Sequence, residues 1–296
     1  MPIPMRIHFD CIPCLLRQTI DVVRLVTDDE DIHERVLHEV LLDLNRADLQ
    51  LSPPAMAQRI HRVIRRLTGM EDAYRSIKER SNEFALSIYP GMKEIVEKSD
   101  NPFETAVRLS IAGNIIDFGV HGALLELDES LIHGSIQYAL NTHIDGGAVN
   151  ALQNSIVNSK RILYLADNAG EIVFDRLLIE KMPMDRVIVA VRGHPIINDA
   201  TMEDAEVAGL TDLVKVISNG SDAPGTLLDD CSEEFRNIFD SADIVLSKGQ
   251  GNYETLSGVN KNVVFLLKVK CPVIAQDIGV DMGSIIISSN HDRKSK

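Results

Sequence analysis

Residues 161–171 read RILYLADNAGE, from Arg161 to Glu171. The apolar run 162–166 has the length of a buried strand. Behind it, Ile172, Val173, Leu177 and Leu178 recur at a helical period. Between the two lie an acid, an amide and two small residues: Asp167, Asn168, Ala169 and Gly170. A polar strand tip with a helix starting just behind it is where open α/β sheets bind ligands.

Working outward, the same rhythm repeats. Residues 187–191, 213–217, 244–246 and 263–267 read as further strands, with 285–287 as a sixth candidate. Helical patterns fill 172–181, 200–208, 227–239 and 253–256. Alternation at this spacing predicts a doubly wound, mostly parallel sheet with right-handed crossovers, an α/β Rossmann-like fold. Upstream, residues 11–150 read as helical almost throughout, including a stripe over 33–46. Ser52 and Pro53 predict a helix start and Gly69 its stop, while Pro90-Gly91 predicts a break or kink after 73–89. Asn101-Pro102 opens a helix toward Phe118, and 130–140 and 148–156 supply two more. The expected organisation is an all-helical domain over 1–155 and a Rossmann-like α/β domain over 156–296.

Composition narrows the function. A formal net charge of −14 disfavours a nucleic-acid or anionic-membrane surface, because both need clustered cations. No apolar run approaches the length of a bilayer span, and Pro2, Pro4, Arg6, His8 and Asp10 interrupt any signal-peptide core. A cytoplasmic enzyme is the expectation. Cys11-Ile-Pro-Cys14 has metal or redox spacing, but it leads into a helix and Cys231 and Cys271 stand alone in sequence. Structural or incidental cysteines are the first reading, with metal or redox use the alternative.

The other strand tips are polar too. The second runs into Arg192-Gly193-His194-Pro195 and then Asn198-Asp199; the third into Ser218-Asn219-Gly220-Ser221-Asp222. The fourth gives Ser247-Lys248-Gly249-Gln250-Gly251-Asn252. Each has a plain explanation: Asn168 and Glu171 match a capping box, Asp199 an N-cap, and Lys248 a solvated loop lysine. Together they supply hard oxygen donors (Asp167, Asn168, Asp199), a cation (Lys248) and glycine-rich backbone. That set suits Mg²⁺ or Mn²⁺ better than Zn²⁺, and it suits phosphoryl chemistry or phosphate binding. GxGxxG and GxxxxGK[ST] are both missing, which disfavours NAD chemistry and P-loop hydrolysis. In the helical half, Ala112-Gly113-Asn114-Ile115-Ile116-Asp117 interrupts an apolar segment. Either Gly113 permits close helix packing or this helix lines the cleft. His121, His133 and His143 lack ligand spacing and read as loop or surface residues.

The ordered set CIPCLLRQ, AGNIID, LADNAGEIVFD, HPIINDAT, SNGSDAPGT, SKGQGNYE and FLLKVKCPVIA resembles the family first catalogued as domain of unknown function 89, the damage-control phosphatases. The resemblance spans essentially the whole chain and is nearest to the prokaryotic-type branch with an N-terminal CxxC. It implies a helical region beside a Rossmann-like domain and metal-dependent hydrolysis of small phosphorylated metabolites. Carried over by motif, it implies a metal held by Asp167, Asn168 and Asp199, with Lys248 facing phosphate. Gly113 and Asn114 would face the same cleft. The chain lacks the Arg-Thr-x-Lys signature of the sugar-phosphate branch, so simple sugar phosphates are a weaker expectation than phosphatase activity itself.

The resulting expectation is a phosphomonoesterase using Mn, Mg, Co or Ni. Asp167, Asn168 and Lys248 are its catalytic candidates; Gly113, Asn114, Asn219, Gly220, Lys248 and Asn252 are its substrate-binding candidates. Whether Asp167 itself attacks phosphorus stays open. The alternatives are a non-catalytic binder of a phosphometabolite or nucleotide, and a carboxyl methyltransferase using S-adenosylmethionine. The partner is a small phosphorylated metabolite, with no nucleic acid or membrane; the sequence does not set the oligomeric state.

Overall fold

A computed structural model describes residues 5–113 and 129–290. Helices α1 (Cys11–Val26), α2 (Glu30–Asn45) and α3 (Pro53–Thr68) pack around Val22, Val36, Val40, Met56 and Ile60. Pro53 opens α3 and Gly69 closes it at φ 71, as the spacing predicts, although the Ser52 hydroxyl makes no capping bond.

Helix α4 (Arg75–Lys98) does not break at Pro90-Gly91. Ala85, Tyr89, Met92 and Val96 bury one stripe on both sides of the proline. Each large buried apolar side chain contributes about 1.5–3 kcal/mol, enough together to outweigh the ~3 kcal/mol an internal proline costs. Then come α5 (Pro102–Gly113), α6 (Glu129–Asn141) and α7 (Gly146–Asn158).

The sheet half runs β1 (Ile162–Leu165), α8 (Glu171–Ile179), β2 (Val187–Val191), α9 (Met202–Val207) and β3 (Lys215–Ser218). It continues with α10 (Glu233–Ser241), β4 (Ile244–Lys248), α11 (Gly249–Leu256), β5 (Val263–Lys268), α12 (Pro272–Ile278) and β6 (Ile285–Ser289). Strand order is β3-β2-β1-β4-β5-β6, parallel except for β6, which pairs antiparallel with β5. This is the doubly wound order, with its switch point between β1 and β4. The third strand starts two residues later than its apolar run predicts, because Leu213 and Val214 fill the core beside α9. Helix α10 also starts late, where the Ser232 hydroxyl accepts the Phe235 amide at 3.2 Å.

Side chains of β1 alternate between two cores, as a strand buried on both faces must. Ile162, Tyr164 and Ala166 join one core, Leu163 and Leu165 the other. The first core takes in α4, α5, α7, α8 and α9; the second takes in α10, α11 and α12. Apolar packing thus runs unbroken across residue 155, and the separately cored unit is α1–α3.

Polar groups fasten that unit to the sheet. Asp222, behind β3, accepts from Gln58 Nε2 at 2.6 Å, from Arg62 Nε at 3.0 Å and from Arg65. Burial pushes the Asp222 carboxyl up, but the Arg62 and Gln58 bonds outweigh it and hold its pKa below the usual carboxylate value. Among the described residues, no helix is long and apolar enough to cross a membrane.

Candidate active site

The switch point gathers the polar tips. Beyond β1 the backbone continues in extended form, and residues 198–200 fold back against it. Ala169 N donates to Asn198 O at 2.8 Å and Ala200 N to Asp167 O at 2.7 Å, pairing Asn168 with Asp199 in an antiparallel bridge. Asp199 therefore reaches the site by this return and is not the cap of α9. That cap is Thr201, in a box with Asp204. The turn preceding the bridge holds Ile197 at φ 45, a strained value for a β-branched residue.

Asp167, Asn168 and Asp199 thus stand together. Burial raises the Asp167 pKa well above the usual carboxylate value, with the Glu171 and Asp199 charges adding to it. Burial also raises that of Asp199, against the pull of Arg192. Burial thus disfavours the charged form of both acids, a cost a bound cation would offset. Asn168 Nδ2 donates to Asp167 Oδ2 at 3.0 Å and to Glu171 Oε2 at 3.1 Å. Both partners take the nitrogen, so the amide oxygen is the end left to face a cation, the orienting bond expected behind a metal ligand. Among the described residues no three His, Cys, Asp or Glu side chains form a metal-ready group on their own. A seat here therefore needs the Asn168 oxygen as its third donor. Hard carboxylate and amide oxygens of this kind fit a small divalent cation.

Lys248 is elsewhere. It ends β4 and begins α11 without a loop, and its side chain is fully buried. Its ammonium donates to Glu171 Oε1 at 2.7 Å, to Ser110 O at 2.9 Å and to Asp175. Burial opposes the charge, but Asp175 and Glu171 outweigh it and leave the Lys248 pKa above the usual lysine value. The structure so replaces the solvated-lysine reading with a closed ion cluster on the α8 side of the sheet. The capping-box reading of Glu171 is corrected too. Gly170 is the N-cap of α8 without a side-chain capping bond, and Glu171 instead links Lys248 to Asn168. Asp175, sharing Lys248 and accepting from Tyr164 at 2.8 Å, is pushed up to about 7 by burial.

Asn219 and Gly220 spend polar groups on their own loop and on the neighbouring tip behind β2. Asn219 Oδ1 accepts from Gly193 N at 3.0 Å and Ser221 N at 2.9 Å, and Gly220 N donates to Ser218 Oγ at 3.0 Å. Gly113 lets α5 close on α8: an added Cβ there would lie 3.1 Å from Glu171 Cα. Asn114 and His121 lie outside the described residues, as does the side chain of His133. Asn252 is inside the cluster, fully buried. Its amide donates to Ala166 O at 3.2 Å and Lys248 O at 2.8 Å, and its oxygen accepts from Thr226 Oγ1 at 2.8 Å. Sequence reasoning missed Arg192 and Thr226. The available signal was a cation directly behind a wholly apolar strand, at the level where neighbouring strands carry their donors.

The cysteines are all free. Cys271, isolated in sequence, lies within electrostatic reach of Cys11 and Cys14, as does Glu254 on α11. Burial raises both N-terminal thiols above the usual value and pushes Cys231 up to about 12, the reverse of what a reactive thiolate needs. Burial alone pushes Glu254 up to about 8. An acid whose folded pKa is raised stabilises the fold only at low pH, and that stability is lost as pH rises through the folded value. Glu254→Gln is therefore expected to raise stability above pH 8 by about 1–2 kcal/mol and to leave it unchanged near pH 4. Urea unfolding at the two pH values checks this; an equal shift at both would refute it.

Comparison with known proteins matches the chain as a whole to a family. The family model described as "Damage-control phosphatase ARMT1-like domain" matches residues 7–286. A damage-control phosphatase of Archaeoglobus fulgidus is 40% identical over 291 residues, covering 95% of this chain and 98% of that protein. One from Pyrococcus horikoshii is 35% identical over 291 residues, covering 97% and 99%. The crystal structure of a DUF89 family protein from Pyrococcus horikoshii superposes with a TM-score of 0.87 at 34% identity, covering 97% of this chain and 99% of that one.

Proposed function

Since this chain belongs to the damage-control phosphatase ARMT1-like family, we propose that it is a metal-dependent phosphatase acting on small phosphorylated metabolites. The observation that carries the reading is the backbone bridge setting Asp199 opposite Asn168, beside Asp167, at the C-terminal end of the sheet. Asp167, Asn168 and Asp199 would hold the cation. Bound there, a divalent ion supplies Lewis-acid withdrawal of charge from the phosphoryl oxygens.

The chain's own groups do the rest. Glu171, neutralised by Lys248, fixes the Asn168 amide so that its oxygen faces the seat. Gly249, Gln250 and Gly251 open α11 with no side-chain cap. First-turn amides of that kind, at the positive end of a helix dipole, suit phosphoryl oxygens. Gly249 brings this helix end against Asp167: a Cβ at Gly249 would overlap Asp167 Oδ2 at 1.8 Å.

The test is hydrolysis of a generic aryl phosphate with Mn²⁺, Mg²⁺, Co²⁺ or Ni²⁺. At least one metal is expected to raise the rate about 100-fold over chelator-treated protein, the loss of a preorganised charge partner in phosphoryl transfer. A rate indifferent to chelator, or an Asp167→Ala protein as active as the parent, would sink the assignment. A panel of small phosphate esters then ranks the substrates.

A further inference from the structure

Arg192 follows β2 directly and is 2% exposed. Its guanidinium is held on two sides. Nε donates to Asp199 Oδ2 at 2.6 Å, and Nη1 donates to Asn252 Oδ1 at 3.1 Å and Thr226 Oγ1 at 3.4 Å. The remaining nitrogen, Nη2, is buried without a hydrogen-bond acceptor. It stands 3.7 Å from Asp167 Oδ1, near enough for attraction but too far for a bond.

An orphaned donor on a buried charged group costs free energy, and native structures seldom keep one without a use. Had Arg192 served only to balance the two acids, its fork would close on Asp167. Instead Nη1 is drawn the other way by Asn252, whose oxygen is set by Thr226 and whose amide is set by Ala166 and Lys248 carbonyls. Three chain segments thus spend hydrogen bonds on keeping one arm of the guanidinium pointed at the Asp167 side and empty. A planar, permanently charged fork is the group best matched to phosphoryl oxygens.

Resting on the phosphatase reading, the geometry assigns Arg192 as a phosphate-binding residue of this site. Its Nη2 donates to a non-bridging oxygen of the substrate's phosphoryl group on the Asp167 side of the cluster. Asn252 and Thr226 are positioning residues that act through it. No bond to Arg192 is made or broken. It binds the phosphoryl group in substrate and in released phosphate alike.

The experiment measures inorganic phosphate binding to the metal-loaded protein by calorimetry, with Mn²⁺ binding measured separately, for the parent, Arg192→Lys and Thr226→Val. Arg192→Lys keeps the charge but loses the fork. It is expected to weaken phosphate binding about 10- to 100-fold, the value of one charge-assisted hydrogen bond, while still binding Mn²⁺. Thr226→Val removes only the hydroxyl that orients the fork and is expected to weaken phosphate several-fold. Undiminished phosphate binding by a folded Arg192→Lys protein overturns the proposal. So does undiminished binding by Thr226→Val if Arg192→Lys fails to fold. A parent that hydrolyses esters while Arg192→Lys matches it in both assays removes only the Arg192 assignment. A parent that neither hydrolyses esters nor binds phosphate under any metal removes the phosphatase reading with it.

Discussion

Lys248→Met is expected to cost the fold about 3–5 kcal/mol, the penalty for taking one partner out of a buried ion pair. Methionine fills much of the same volume, so lost packing is minor. The loss comes from Glu171 and Asp175, both fully enclosed and both left without their cation. Asp175 already titrates at about 7 with Lys248 present. Without it, burial acts unopposed on Asp175 and favours its protonated form further. A raised folded pKa means stability present at low pH and lost as pH rises through that pKa. The deficit should therefore shrink near pH 4 and grow toward pH 8. Adding Asp175→Asn removes one stranded carboxylate and should recover part of it. Guanidinium unfolding across pH reads all three. A Lys248→Met protein as stable as the parent at pH 8 would show that Lys248 is not the keystone of this cluster, and a pure loss of phosphate affinity would restore it to the ligand role its motif implies.

Gly249→Ala is expected to lower kcat about 100-fold or more while the fold survives. Gly249 sits at φ 74, where an alanine is strained by about 1–2 kcal/mol, and its new methyl would fall 1.8 Å from Asp167 Oδ2 and 2.2 Å from Asp167 Cγ. The carboxylate must move by more than an ångström to make room. Displacement of a reacting-centre group by that distance costs about 100-fold in rate. The contrast with Lys248→Met is the informative part: one change strikes stability, the other the chemistry, though the residues are adjacent. Circular dichroism and aryl phosphate turnover on the same samples separate them. Parent-like turnover in Gly249→Ala would mean that Asp167 is not held where the chemistry needs it.

The sheet was legible because each strand is an apolar run bounded by small or polar residues, and the polar tips marked its ligand end. Asp167, Asn168 and Asp199 stand together at that end. The manner in which Asp199 arrives was not legible, since a backbone bridge leaves no pattern in side-chain types. Pro90 does not end its helix because local propensity is weaker than a buried stripe that runs on both sides of it, from Ala85 to Val96. Lys248 misled because a lysine beside glycines looks solvated, and its two acids sit on α8, more than 70 residues upstream. Arg192 escaped for a related reason. What distinguishes it is a donor left unpaired, and that is a property of three dimensions only.

The bridge between Asn168 and Asp199 makes the seat a matter of counting. Side chains alternate across such a pairing, so sliding residues 198–200 by one position would set Asn198 or Ala200 opposite Asn168 and turn the Asp199 carboxylate away. Residues 193–197 are thus fixed in number, and partly in chemistry too: a Cβ at Gly193 would fall 2.4 Å from Gly220 C, Ile196 is buried, and Ile197 sits at φ 45. A single-residue insertion or deletion there should be as damaging as deleting the acid itself, whereas a substitution of the exposed His194 is forgiven. Among relatives, length in this short return is the trait to watch, together with the glycine at its start.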